Sequence, residues 1–109
     1  MIVENDKVLS RRLDDKTSRK VLEAVGSLMV VEVSFKKGGV GAAHSHDKHE
    51  QVSYIAGGSF EVTVGTEKKI LKKGDSYYVP LNVMHGVRAL EDSVILDVFT
   101  PIREDFLKG

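Results

Sequence analysis

Apolar and polar positions alternate over short stretches of this chain, and each stretch stops at a glycine or a charged pair. The clearest case is Ser59 to Val64, where Phe60, Val62 and Val64 are set against Ser59, Glu61 and Thr63. A period of two is the mark of a strand with one buried face. Gly65-Thr66-Glu67 then predicts a hairpin turn and Lys68 to Leu71 its return strand. Leu28 to Phe35 is rich in Val and ends at Lys36-Lys37-Gly38-Gly39, Gln51 to Ala56 is closed by Gly57-Gly58, and Lys72-Lys73-Gly74-Asp75 is a further turn. Ser76 to Val79, His85 to Ala89 and Ser93 to Phe99 complete seven or eight short strands at near-regular spacing. That series predicts an all-β sandwich or barrel. Lys16 to Val25 is also read as a strand, because Val21, Leu22 and Val25 make only a weak helical face. One helical turn is expected in the tail after Pro101. With no repeat or linker, the 109 residues are expected to form one domain: residues 1–27 an N-terminal strand region, 28–100 the barrel, 101–109 a C-terminal tail.

Charge and composition narrow the partners. Lys plus Arg and Asp plus Glu number 16 each, a balance that argues against nucleic acid. Cys is absent, which excludes disulfides and thiolate metal sites. Apolar runs such as Leu28-Met29-Val30-Val31 are too short to span a membrane, and Met1 to Asp6 lacks the basic start and apolar stretch of a signal peptide. The expectation is a cytoplasmic protein acting on a small molecule. A homodimer is also expected, because barrel edges need cover and Ile2, Val8 and Leu9 have little else to pack on.

Three of the four histidines stand where a metal would need them. His44 and His46 are two apart, so an extended backbone points both imidazoles to one face. Gln51 opens the next strand, with Ser53 and Ile55 on its face, and antiparallel pairing can bring His85 opposite the first pair. The bland alternative is a set of surface histidines on a loop. The glycines and proline around them decide against it. Gly38, five residues, His44-Ser45-His46, then an acidic or amide residue and a Gly form one block; Gly74, five residues, Pro80-Leu81-Asn82, two residues and His85 form another.

These blocks resemble the paired motifs of the cupin superfamily, in which two histidines, a carboxylate or amide, and a later histidine bind one metal ion. The resemblance implies a double-stranded β-helix, or jelly-roll, barrel. Two departures are visible: Asn82 stands where the family has Gly, a position Asn tolerates in a left-handed turn, and Ala89 stands where an Asn is common. Glu50 and Gln51 both satisfy the spacing for the fourth ligand, and only one can face the metal. Gln51 is favoured because it puts Val52 and Tyr54 on the packing face; His49 is then expected to be exposed near the rim.

Asp97 shares a strand face with Ile95 and Phe99, an unusual place for a carboxylate. Asp97-Val98-Phe99-Thr100-Pro101-Ile102-Arg103-Glu104-Asp105-Phe106 resembles the C-terminal signature of the KdgF family of pectin-degradation cupins. So do His44-Ser45-His46 with Glu50-Gln51, and Gly74 to Pro80 running on to His85-Gly86-Val87. That resemblance implies metal ligands at His44, His46, Gln51 and His85 and catalytic residues at Asp97, Phe99 and Arg103. It implies one divalent ion, with Ni, Zn, Fe, Mn and Co all compatible with the ligands. It further implies ring opening of 4,5-unsaturated monouronates from pectin or alginate to linear 5-keto-4-deoxyuronates. Another small cupin enzyme (an oxygenase or a sugar isomerase) and a non-enzymatic sugar-binding or sensor cupin are the rival readings.

Overall fold

The computed structural model describes residues 1–107; the last two residues of the predicted tail, Lys108 and Gly109, lie outside the described residues. A short 3₁₀ turn at Asn5–Lys7 leads into ten strands: β1 (Arg11–Arg12), β2 (Thr17–Val25), β3 (Leu28–Phe35), β4 (Val40–His44), β5 (Glu50–Gly57), β6 (Ser59–Val64), β7 (Glu67–Lys72), β8 (Ser76–Val79), β9 (His85–Ala89) and β10 (Ser93–Thr100). One helical turn, α1 (Glu104–Leu107), follows. The strands form a six-stranded sheet in the order β1-β2-β3-β10-β5-β8 and a four-stranded sheet in the order β4-β9-β6-β7. All pairings are antiparallel.

The core sits between the sheets. Phe35, Ile55 and Ile95 from the large sheet meet Phe60, Val62 and Ala89 from the small one, and the Phe35 and Phe60 rings stand edge to face at 5.1 Å. Burying each large side chain contributes about 1.5–3 kcal/mol. Gly65 supplies the positive φ of the two-residue β6–β7 turn that sequence predicts, with Val64 opposite Glu67. Asn82 also has a positive φ, 63°, as its place in the second histidine block requires.

Two strands escape the hydrophobic pattern. β1 is only two residues long, and β4 reads Val-Gly-Ala-Ala-His, with nothing large enough to show a period. One expectation is corrected: Val52 and Tyr54 do not pack inside. They lie on the outer face of β5, 48% and 45% exposed, while Gln51, Ser53 and Ile55 point inward. The inference about strand phase came from hydrophobicity alone, and this outer face carries apolar side chains as well.

Register sets the site. Along the inner face of the large sheet, Met29, Phe99, Gln51 and Val79 make one cross-strand row, and Val31, Asp97, Ser53 and Tyr77 the next. The polar members of both rows come from strands far apart in sequence and adjacent in space.

Candidate metal centre

His44 ends β4 and His85 opens β9, and the two face each other across the strand pair. Close approach of these strands depends on Gly86: a Cβ there would lie 3.1 Å from the Gly41 carbonyl oxygen and 3.2 Å from Ala43 backbone atoms. His46 follows on the loop, held where its carbonyl accepts the Asn82 N–H at 2.6 Å. The three rings cluster with centroids 4.3–5.0 Å apart, and one nitrogen of each lies within 4.8 Å of the others.

Their protonation is prepared for ligation. His44 Nδ1 sits 2.7 Å from the Ala42 carbonyl oxygen and His85 Nδ1 3.0 Å from that of Val83. A carbonyl only accepts, so Nδ1 carries the proton in both rings and the Nε2 lone pair is left free. Burial, then the charge of Arg103, lowers the His46 pKa to about 4; burial likewise lowers that of His85. Both imidazoles are therefore neutral at neutral pH, the form that binds a metal.

Gln51 is buried beside them, and Glu50 is exposed. The Gln51 Nε2 donates to Ser53 Oγ at 2.8 Å and to Asp97 Oδ1 at 3.3 Å, and Ser53 Oγ donates to the same carboxylate oxygen at 2.5 Å. Because an ionised carboxylate only accepts, the amide must turn its nitrogen toward this pair and its oxygen away. Gln51 Oε1, His46 Nε2 and His85 Nε2 are buried without a hydrogen-bond partner. Buried polar atoms are normally paired. Three lone-pair donors left open side by side fit a cation, so the residues present suit a divalent metal.

Asp97 and Phe99 adjoin this cluster on the inner face of β10. Burial pushes the Asp97 pKa up to about 6, and the Ser53 hydrogen bond, the Arg103 charge and the Gln51 hydrogen bond pull the other way. The Phe99 ring meets His46 edge to face at 5.9 Å. Arg103 sits over Phe99 at 5.2 Å and over Phe106 at 3.8 Å, its side chain 14% exposed and paired with Asp105 at 2.9 Å. His44, Gln51, His85, Asp97, Phe99 and Arg103 line one cavity of about 160 Å³, with Tyr77 and Phe106 also in its wall.

A family model described as the cupin domain matches residues 31–99. The pectin degradation protein KdgF of Dickeya dadantii (strain 3937) is 47% identical over 104 residues, which cover 94% of each chain. This chain belongs to the KdgF family of cupins. Solved structures of similar chains agree: KdgF from Halomonas sp. is 37% identical and superposes with a TM-score of 0.94 over 97% of this chain and 99% of that one. An RmlC-like cupin from Shewanella frigidimarina NCIMB 400 is 36% identical, with a TM-score of 0.90 over 94% and 92% of the two chains.

Sequence reasoning overlooked two residues of this cupin's site, Ser53, fully buried beside Gln51 and Asp97, and Tyr77 in the cavity wall. Ser53 was placed on the Gln51 face but given no part, although a small hydroxyl between Gln51 and Ile55 is the signal of a buried hydrogen bond. Tyr77, opposite Ser53, has its pKa raised above the ordinary phenol range by burial and by Asp97. One placement is corrected: His49 is half-buried rather than exposed, because its Nδ1–H donates to the Pro101 carbonyl at 2.9 Å.

Proposed function

We propose that this cupin is a metal-dependent enzyme that opens the ring of 4,5-unsaturated monouronates to linear 5-keto-4-deoxyuronates. One observation carries the reading. In a single cavity, a carboxylate with a pKa of about 6 and a nearly buried arginine adjoin His44 and His85, which with His46 form a cluster suited to a metal.

His44, His46, Gln51 and His85 would hold one divalent ion; all four are neutral, so its full charge is left for the substrate. Such an ion supplies Lewis acidity toward the oxygens of an acidic sugar. Arg103 pairs with the uronate carboxylate through its planar fork, using N–H groups that Asp105 leaves free. Phe99 forms the apolar wall against which the sugar ring lies. Asp97 moves the proton. The substrate is a cyclic enol ether: protonated Asp97 delivers a proton to the ring carbon, and water adds to the adjoining one. The carboxylate takes back the proton that the water releases on addition. It then gives this proton to the ring oxygen as the hemiketal's C–O bond to that oxygen breaks, and recovers the hemiketal's hydroxyl proton as the ketone forms. A pKa near the working pH lets one group both give and take. Ser53 and Gln51 hold Asp97 at the angle that these transfers need.

The name of the similar protein from Dickeya dadantii, a pectin degradation protein, supports pectin breakdown as the setting. The same reading carries a cytoplasmic homodimer. Exposed Ile2 and Leu9, and the apolar outer row of Val98, Val52 and Tyr78, support a second copy as the cover, which sedimentation velocity at micromolar concentration tests against a stable monomer. No helix among the described residues is long and apolar enough to cross a membrane.

The test is product analysis by NMR after incubation with an unsaturated galacturonate. Loss of the vinyl proton with appearance of a ketone carbon, and no oxygen uptake, supports the reading. Oxygen consumption points to an oxygenase, and saturable binding with unchanged substrate points to a sugar-binding cupin; either refutes it.

A further inference from the structure

Arg19 is out of place on its strand. It stands on β2 opposite Val33, in the cross-strand row that continues through Ile95 to Ile55, an otherwise apolar stretch of the inner face. The residue is only partly exposed, and it takes part in none of the ion pairs among the described residues. Burial, then the positive charges of Arg11 and Arg103, depresses its pKa, and the Asp105 carboxylate, without forming an ion pair with it, pulls the other way. The direct contact of the guanidinium is with the Phe106 ring, its central carbon 4.0 Å from the ring centroid.

The Arg103 guanidinium lies over the same ring at 3.8 Å. The two like charges thus sit within about 8 Å of each other, a repulsive arrangement that contact with the shared ring offsets. Phe106 also meets Phe99 edge to face at 5.8 Å. It belongs to α1, four residues long and without a buried residue, which is far too short to be stable by itself. The Phe106 N–H donates to the Arg103 carbonyl at 3.1 Å, so ring and arginine move as one turn. The ring is therefore the anchor of this turn, and Arg19 is the side chain that grips it from β2.

We propose that Arg19 is a positioning residue: by stacking on Phe106 it pins the C-terminal turn to β2 and so fixes the Arg103 guanidinium against the cavity. The inference rests on the uronate reading only in giving Arg103 a carboxylate to hold.

The experiment compares Arg19→Ala, Arg19→Gln and Arg19→Lys with the parent and with Arg12→Ala, an exposed arginine on β1. Arg19→Ala raises KM for the unsaturated uronate roughly five- to thirty-fold and leaves kcat within about twofold. Arg19→Lys recovers part of that loss, because an ammonium keeps charge over the ring but not the planar stack. Arg12→Ala changes neither constant. In parallel, the Arg103 Nε–H resonance, ring-shifted by Phe106 in the parent, moves to the position of a free arginine in Arg19→Ala. Should Arg19→Ala fail to fold, Arg19→Gln carries the same comparison. An unchanged KM overturns the proposal. So does a raised KM with an unmoved Arg103 resonance, since Arg19 would then act on the substrate itself. A parent that turns over no uronate refutes the functional reading instead, and the Arg103 resonance alone then decides whether Arg19 positions it.

Discussion

Replacing Asp97 by asparagine should make the metal-free protein more stable and the enzyme far slower. The carboxyl group is held inside β10 with its pKa raised from 3.8 to about 6, chiefly by burial. A folded-state pKa above the unfolded one means that the carboxyl group's contribution is fully present below about pH 4. It is lost as pH rises to about 6. A shift of roughly two units corresponds to a penalty of about 3 kcal/mol for carrying the ionised group at neutral pH. Asparagine removes that charge, and its carbonyl oxygen still accepts from Ser53 and Gln51. Its new N–H groups need partners, which reduces the expected gain to about 1–2 kcal/mol, or roughly 5–10 °C in melting temperature for a domain of this size. Near pH 4, where the parent carboxyl group is already neutral, the chelator-treated variant should melt slightly below the chelator-treated parent, and at pH 7.5 it should melt higher. With metal restored, both should bind one ion per chain, yet the variant should lose about a hundred- to ten-thousand-fold in turnover. Equal melting at pH 7.5 would refute the burial argument, and turnover close to that of the parent would make Asp97 a structural residue.

Substitutions at five further positions address the rest of the site. His85→Ala and Gln51→Ala should each lose most bound metal while circular dichroism still shows the β fold, and Glu50→Gln, on the outer face, should keep it; metal analysis after gel filtration decides. Ser53→Ala leaves Gln51 Nε2 and Asp97 Oδ1 each short of a partner. It should cost about 1–3 kcal/mol in stability and roughly ten- to a hundred-fold in metal affinity, and an unchanged affinity by calorimetric titration would reduce Ser53 to packing. Asn82→Ala should destabilise by about 1–2 kcal/mol in thermal melts because of its positive φ, whereas Asn82→Gly should be close to neutral; equal losses would remove the backbone explanation.

The fold was legible because most strands of this chain carry their own period and their own stop signals. Ser59 to Val64 is bounded as its alternation predicts, and Leu28 to Phe35 ends at the glycine turn. β4 was not legible as a strand, since Gly41, Ala42 and Ala43 exist to let backbones approach and leave no hydrophobic trace. The histidines could be gathered from spacing and motif, because His44 and His46 need only local geometry. Hydrogen bonds such as Ser53 to Asp97 join residues 44 apart and depend on the register of β5 against β10, which no local pattern encodes. Arg19 was hidden for a similar reason. Reading Lys16 to Val25 as a strand says nothing of which face points inward, and the irregularity between Val21 and Glu23 reverses that face partway along.

The central claim, that a metal held in this cavity serves the opening of an unsaturated uronate ring, is tested most directly by one absorbance trace. Purified protein is mixed with the unsaturated monouronate, and loss of the enol-ether chromophore is followed before chelation, after chelation, and after one equivalent of divalent metal is returned. The account predicts steady loss, a halt on chelation and recovery on return of the metal. Loss that continues unchanged in protein shown by elemental analysis to be metal-free, or no loss in any of the three conditions, would contradict it.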